Sequence, residues 1–367
     1  MSRDPRTFTI APSATLRQAA ACIDQGRCGI AVVVDAAGRV VDTITDGDVR
    51  RALLAGTSLD AAVSTLASRR KGTAYETPVV ARAAASRDEH AAILRTRQLR
   101  QLPLVDEAGV VVDVVTVDDV EGAGALAVRA VVMAGGFGKR LGDLTKDTPK
   151  PMLKVGDRPL LEHIVRQLRD AGIHKVSVTT HFKADVITQH FGDGAAFGVD
   201  ISYVAEDVPL GTAGALGLLP SENAREPLLV MNGDILTRID VGALLRFHQE
   251  HRADLTVAVR QYEVAVPFGV VDADGPVVTG IREKPTTTFL VNAGIYLIEP
   301  HVLALVTPGA RLDMPDLITR LLAEGRRVVS FPVLEYWLDI GRVDDYARAS
   351  DDVAGWGRAA ARPAEDA

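Results

Sequence analysis

Only two cysteines, Cys22 and Cys28, occur in 367 residues, so neither a disulfide framework nor a cysteine-built zinc cluster organises the chain, and a reducing compartment is expected. No uninterrupted apolar run approaches the roughly 20 residues of a membrane helix, because charges break each alanine-rich stretch. The opening MSRDPRTF lacks the apolar core of a signal peptide. Together these absences predict a cytoplasmic protein with no membrane partner. Aromatics are scarce at 5%, and acids outnumber Lys and Arg by 48 to 41, a formal net charge of -7. No basic stripe or aromatic platform is present, which argues against nucleic-acid binding. The eight histidines form no metal-ligand pair, with His174, His181 and His190 expected at the surface or in loops. No Ser-His-Asp grouping is evident.

Against this acidic background, VVMAGGFGKRLGDLTKDTPKPMLK from Val131 to Lys154 concentrates glycine and positive charge. An apolar strand runs into Gly135, Gly136 and Gly138, which let the main chain approach an anion closely. Lys139, Arg140, Lys146, Lys150 and Lys154 follow. Such a local excess of cations predicts a focused site for a polyanionic substrate. Two commoner phosphate loops do not fit. A P-loop needs glycine where Met133 stands and a hydroxyl where Arg140 stands, and a dinucleotide fingerprint needs glycine where Leu141 stands.

An internal repeat precedes this segment. DAAGRVVDTITDGDV from Asp35 recurs as DEAGVVVDVVTVDDV from Asp106, and each copy has the order helix, strand, turn, strand, helix. Apolar residues at Leu16, Ala19, Ala20 and Ile23, and later at Ala92, Ile93 and Leu94, mark the first helix of each copy. Both copies end their second strand with Thr-x-x-Asp, as Thr45 with Asp48 and Thr116 with Asp119. A helix N-cap is the plain reading of that spacing.

From Val128 onward strands and helices alternate, which predicts an α/β fold. Leu160, Leu161, Ile164, Val165 and Leu168 recur at helical spacing, and strands are expected at KVSVTT from Lys175, near Ile201, and at LLVM from Leu228. Sheets of this kind hold ligands at the carboxyl ends of their strands. The glycine turn and the NGD from Asn232 should therefore meet at one crevice.

GGFGKRL followed by PKPML resembles the nucleotide-binding signature of sugar-1-phosphate nucleotidyltransferases. The resemblance continues in order through LGTAGAL at Leu210, NGD at Asn232, EKP at Glu283, VNAGIY at Val291 and YWLDIG at Tyr336. It implies a Rossmann-like mixed-sheet, GT-A-like domain over residues 128–353, ending in a short tail, 354–367. The tandem repeat resembles a pair of CBS domains over residues 1–124, an α+β arrangement with copies at about 8–56 and 74–122. The implied reaction is transfer of a nucleoside monophosphate from a nucleoside triphosphate to a sugar-1-phosphate, with release of pyrophosphate, making a nucleotide sugar for a surface glycan. PLGTAGAL favours GTP, with UTP or dTTP next. A nucleotide-sensing protein without catalysis is the alternative.

The resemblance also assigns roles. Arg140 would hold the β- and γ-phosphates, and Lys150, restrained by Pro149 and Pro151, would bridge the α-phosphate and the sugar phosphate. Ala134, Gly135, Gly136, Gly138, Glu206, Gly211 and Thr212 would contact the nucleotide, although Thr212 also fits a helix cap. Gly269, Glu283, Lys284, Asn292 and Gly294 would hold the sugar phosphate. Asp234 and Asp339 would bind Mg2+, an ion suited to few carboxylates and several phosphate oxygens and waters. Thr45, Asp48, Thr116 and Asp119 would face the ribose of a regulatory adenine nucleotide, with the first copy the stronger. Many such pairs only dimerise, so a homodimer or higher homo-oligomer is expected. Lys139 and Asp143 depart from the signature, which usually has threonine and proline there.

Overall fold

The computed structural model describes residues 3–66, 72, 76–122, 124–136, 138–220 and 225–360, with side chains left out at 139 and 357–360. The chain divides into two compact units, Met1–Gly124 and Ala125–Ala367. No helix among the described residues is long and apolar enough to cross a membrane.

The first unit repeats one small motif. In the first copy β1 (Thr9–Ile10) lies parallel to β2 (Ile30–Val34), which pairs antiparallel with β3 (Val40–Thr45). In the second, β4 (Ala81–Arg82), β5 (Gln101–Val105) and β6 (Val111–Thr116) follow the same plan. Even the register repeats, with Ile30 opposite Thr45 and Gln101 opposite Thr116. Helix α1 (Leu16–Gly26) buries Leu16, Ala19 and Ile23, as its spacing predicts. Helices α2 (Asp46–Leu54) and α3 (Arg87–Thr96) follow β3 and β4, and the five-residue α4 (Val117–Glu121) follows β6. Phe8, Cys28, Ile30 and Val32 of the first copy share a core with Val111 and Val114 of the second, so each copy covers an apolar face the other cannot bury alone.

Both Thr-x-x-Asp motifs are realised as reciprocal helix caps. The Thr45 hydroxyl accepts from the Asp48 amide at 3.2 Å, while Asp48 Oδ2 accepts from the Thr45 amide at 2.9 Å. Thr116 and Asp119 do the same at 3.2 and 2.8 Å. The two aspartates differ in their further partners. Asp48 takes the solvent-exposed Arg51 at 2.8 Å, whereas both oxygens of Asp119 are forked by Arg3, at 2.9 and 3.0 Å.

The second unit is built on a seven-stranded mixed sheet. Strands β7 (Arg129–Met133), β10 (Lys175–Thr180), β11 (Asp200–Ala205) and β12 (Leu228–Asn232) are parallel and adjacent in the order β11-β10-β7-β12. Beyond them β17 (Thr286–Ile298) runs antiparallel to β12 and to β14 (Leu255–Ala265), and β18 (Val328–Pro332) closes the edge parallel to β14. The apolar run of β7 suits a central strand covered on both faces, and Ala130, Val131 and Val132 are all buried. Helix α5 (Leu160–Asp170) packs Leu160, Leu161, Ile164, Val165 and Leu168 into the core, the set its periodicity predicts.

Small two-stranded ribbons complete the unit. They are β8 (Lys154–Val155) with β9 (Arg158–Pro159), β13 (Ile235–Thr237) with β19 (Trp337–Asp339), and β15 (Val270–Asp274) with β16 (Val277–Arg282). Helices α6 (Ala184–Phe191), α7 (Gly211–Gly214), α8 (Val241–Glu250) and α9 (Met314–Ala323) connect the strands. The last helix, α10 (Val343–Ala360), differs from the expected tail at 354–367: its alanine-rich sequence stays helical through residue 360. Trp356 packs edge-on against Tyr336 at 5.0 Å between ring centroids, which ties that turn down. Residues 361–367 lie outside the described residues.

Candidate active site

Four neighbouring parallel strands each release a polar or glycine-rich element at the carboxyl edge of the sheet, as expected of open α/β sheets. From β11 the chain passes into Glu206, from β10 into His181, from β7 into Ala134 and Gly135, and from β12 into Gly233 and Asp234. The glycine turn and NGD do meet. Asn232 lies opposite Met133 in the sheet, and the Gly233 amide donates to the Met133 carbonyl at 2.9 Å. A side chain at 233 would stand 2.7 Å from that carbonyl, so only glycine lets the two turns touch.

At one end Glu206 is buried. Its Oε2 accepts from the Leu210 amide at 3.0 Å, and its carbonyl pairs with His181 Nδ1 at 2.7 Å. A Cβ at Gly135 would fall 2.8 Å from Glu206 Oε1 and 3.4 Å from the His181 Cβ. Gly135 thus lies directly against Glu206. His181 lies in the loop after β10, as expected, and is half-buried there; its position after the TT of KVSVTT was the only sequence sign of that. Ala134 is buried, its amide donating to the Thr179 carbonyl at 3.1 Å. Gly136 has open space where a side chain would be.

Gly211 and Thr212 are stitched to the segment before α9. The Thr212 amide donates to Asp313 Oδ1 at 3.1 Å, and the Thr212 hydroxyl accepts from the Met314 amide at 2.8 Å. Thr212 is therefore a helix cap, as its residue type allows, but for α9 from a distant part of the chain. At Gly211, in the left-handed region at φ 81°, a Cβ would meet Asp313 at 2.5 Å. Close packing accounts for these small residues; among the described residues their hydrogen bonds lead away from Glu206.

In the middle, Gly138 takes φ 65° and its missing Cβ leaves room for Lys150, whose Cβ would otherwise lie 3.1 Å away. Lys150 opens a 3-10 turn, Lys150–Met152, between two prolines and is buried. Its ammonium donates to Asp234 Oδ2 at 2.6 Å. The other carboxylate arrives through the β13–β19 ribbon, in which Ile235 pairs with Asp339 and the Ile340 amide donates to the Asp234 carbonyl at 3.0 Å. Two aspartates about 100 residues apart in sequence are thereby held side by side. Solvent reaches the tip of Asp339, yet protein crowds it from behind. Burial raises its carboxyl above the usual carboxylate range and Asp234 adds to that, with Lys150 and Arg140 opposing. Arg140 is exposed, and a Cβ built on Gly341 would be 3.7 Å from Arg140 Nη1, from Asp339 Oδ2 and from Asp345 Oδ2 alike. Asp345, which the sequence alone did not single out, adds a third carboxylate to this neighbourhood and caps the start of α10 through the Arg342 amide at 2.9 Å.

The expected sugar residues fall into two groups. Asn292 accepts from the Gly294 amide at 2.9 Å and donates to the Tyr296 hydroxyl at 2.7 Å. Gly294, at φ 69°, would press a Cβ to 2.6 Å from Asn232 Nδ2, so this pair adjoins NGD. Asn232 Oδ1 is buried without a hydrogen-bond partner. Gly269, Glu283 and Lys284 lie on the connections into and out of the β15–β16 ribbon. A Cβ at Gly269 would be 3.1 Å from Glu283 Oε2, and Lys284 is held at φ 44°, a left-handed conformation that costs a lysine about 1–3 kcal/mol. The side chain of Lys139 lies outside the described residues.

A sheet edge that gathers a glycine turn, two cations and two carboxylates defines a nucleotide-handling protein, and the nucleotidyl transferase family model matches residues 129–355. The chain belongs to that family, with a CBS domain matching residues 1–55. Over 232 residues it is 36% identical to the mannose-1-phosphate guanylyltransferase of Mycobacterium tuberculosis, covering 62% of this chain and 64% of that protein. It is 32% identical over 225 residues to the mannose-1-phosphate guanylyltransferase catalytic subunit beta of Drosophila pseudoobscura pseudoobscura, covering 59% and 60%. The chain thus spans under two thirds of the length of these curated relatives. A crystal structure of a Bacillus anthracis protein, provisionally assigned as a glucose-1-phosphate thymidylyltransferase and bound to sucrose, matches with 28% identity and a TM-score of 0.50, covering 61% of this chain and 94% of that one.

Proposed function

We propose that this chain transfers a nucleoside monophosphate from a nucleoside triphosphate, GTP first, to a sugar-1-phosphate, releasing pyrophosphate. The observation that carries the reading is the convergence of Lys150, Asp234 and Asp339 beside the glycine turn. Both reactants are polyanions, so catalysis is mainly positioning and charge neutralisation. Arg140 suits the β- and γ-phosphates and departing pyrophosphate, because a guanidinium fork matches phosphate oxygens. Lys150 is restrained between prolines and suits the α-phosphate and the sugar phosphate. The glycine turn suits the triphosphate, because glycine lets the main chain approach an anion closely, and Glu206 with Gly135 forms the end nearest the base.

Asp234 and Asp339 fit Mg2+. Burial, and after it the nearby charge of Asp234, raises the Asp339 carboxyl, and an ammonium is drawn to Asp234, so positive charge is favourable beside this pair. Mg2+ suits so small a carboxylate set, because it keeps several waters and binds phosphate oxygens beside one or two carboxylates. When bound, the ion neutralises phosphate oxygens and orients them for in-line displacement.

GTP is favoured because the curated relatives are named guanylyltransferases. UTP or dTTP comes next, supported by the name of the Bacillus anthracis neighbour. A sensor without catalysis is disfavoured by the presence of Arg140, Lys150, Asp234 and Asp339 together. We assign the product to a surface glycan route in the cytoplasm. A pyrophosphate-release screen of five nucleoside triphosphates against a panel of sugar-1-phosphates tests the reading, and no release with any pair overturns it. In the same assay Glu283→Ala should raise the sugar-1-phosphate KM about tenfold and leave the nucleotide KM in place, since it removes binding present before and during reaction. An effect confined to the nucleotide KM moves Glu283 out of the sugar site.

The repeat is assigned a regulatory adenine nucleotide, held chiefly by the first copy. Beyond its capping bonds with Thr45, Asp48 is paired with the exposed Arg51, whereas Arg3 engages both oxygens of Asp119. Calorimetry with AMP, ADP or ATP should give one site per chain, lost in Asp48→Asn, which keeps a capping acceptor but removes the charge. Undiminished binding in that variant refutes the placement.

A further inference from the structure

Ile340, Gly341 and Arg342 join Asp339, the last residue of β19, to the first turn of α10. A Cβ built on Gly341 would stand 3.7 Å from Arg140 Nη1, Asp339 Oδ2 and Asp345 Oδ2, so any two of these atoms lie within twice that distance. With glycine at 341, no side chain from that position rises between them.

The other charges of this group have assigned partners. Lys150 holds Asp234 at 2.6 Å, Asp339 is assigned to the metal ion, and Arg140, which has no ion pair among the described residues, is assigned to the β- and γ-phosphates. Asp345 has no such assignment. Half-buried, it accepts from the Arg342 amide at 2.9 Å, and among the described residues no cation pairs with it. Its charge reaches Asp339, whose carboxyl is raised by burial first, then by Asp234, and also by Asp345. The helix itself does not need that charge. A cap requires an acceptor, which a neutral amide also supplies, and the exposed Asp344 already places an acid in the first turn of α10.

We propose that Asp345 limits how tightly pyrophosphate is held, its carboxylate offsetting Arg140 and the positive end of α10 so that the product leaves. The inference rests on the assignment of Arg140 to the departing pyrophosphate. Arg140, Lys150, the metal ion and a helix N-terminus act on the product with the same charges that act on the triphosphate. A grip shared by substrate and product slows release without speeding the chemistry, and release sets turnover in many enzymes. A carboxylate without a cation partner weakens that grip through space, by repelling a polyanion it does not touch.

Asp345→Asn keeps an acceptor for the Arg342 amide and removes the charge. Calorimetry of inorganic pyrophosphate with Mg2+ against the full chain should show binding tightened about tenfold in that variant, with Asp345→Glu near the wild-type value. Pyrophosphate should likewise become about a tenfold stronger inhibitor of nucleotide-sugar formation, measured with the substrate pair that the release screen identifies. The difference should narrow as salt is raised, because charge repulsion is screened. Damage to the fold does not produce a gain in affinity, so the direction of the change separates this role from capping alone. Unchanged or weaker pyrophosphate binding in Asp345→Asn, or a gain that salt leaves untouched, in a wild type that turns over, overturns the inference and leaves the proposed reaction standing. A wild type that turns over no pair overturns the reaction, and the inference with it.

Discussion

Replacing Asp339 by alanine is expected to lower turnover at least a hundredfold, a loss of about 3 kcal/mol of transition-state stabilisation. Asp234→Ala should match it, because the β13–β19 ribbon makes the two carboxylates one unit. Their effects should therefore be far from additive, with the double variant little worse than either single one. Steady-state pyrophosphate release across a magnesium titration checks this. Near-normal turnover in a folded Asp234→Ala protein would remove both residues from the chemistry. Asp339 is the more exposed of the two carboxylates and Asp234 is engaged by Lys150, so Asp339→Asn should also raise the metal concentration needed for half-maximal rate.

Lys150→Met should separate two quantities that fall together in the aspartate variants. The ammonium holds Asp234 Oδ2 at 2.6 Å, and in that position it would compete with the proposed metal ion for the same oxygen. Methionine keeps most of the buried stem's volume while removing the charge. Turnover should drop at least a hundredfold for want of a cation at the phosphates, whereas metal binding to the free protein should tighten about tenfold as the competitor disappears. Manganese titration by electron paramagnetic resonance, without substrate, reads the second quantity directly. Weaker manganese binding in Lys150→Met would mean that the lysine organises the carboxylates instead of competing for one of them.

Much of the framework was legible in the sequence because its signals are local. The apolar run of β7, the spacing of Leu160 through Leu168 and the strand KVSVTT each follow from burial on one face or two. The meeting of the glycine turn with NGD followed from the rule for parallel strand ends. The repeated Thr-x-x-Asp spacing gave its caps correctly for the same reason: a capping box closes within four residues.

What escaped the sequence depends on contacts between distant segments. Nothing in the spacing of Arg3 and Asp119 announces their ion pair, and nothing near Thr212 announces that its hydroxyl caps a helix about 100 residues later. His181 is a loop histidine as expected, but its half-burial against the Glu206 carbonyl leaves no mark in sequence. Asp345 was hidden among the acids of α10, where a capping role alone would explain it. The apolar residues of the β15–β16 ribbon, VVDAD and VVTGIR, read like those of any short strand; their exposure is what sets them apart.

The β13–β19 ribbon has a bearing on how the protein is made. Asp234 emerges from the ribosome with most of the sheet's parallel half, but its companion is translated about 100 residues later, after β14, β17 and β18 have been added. Pairing over so long a separation forms late, because the loop-closure entropy must be met before the contact stabilises anything. Leu236 on one strand, Leu338 on the other and Ile340 just after it also share a buried cluster with Ala349 of α10, so the ribbon is secured only when that last helix docks. A nascent chain can thus hold much of its sheet while lacking a completed carboxylate pair, and catalytic competence arrives with the final helix.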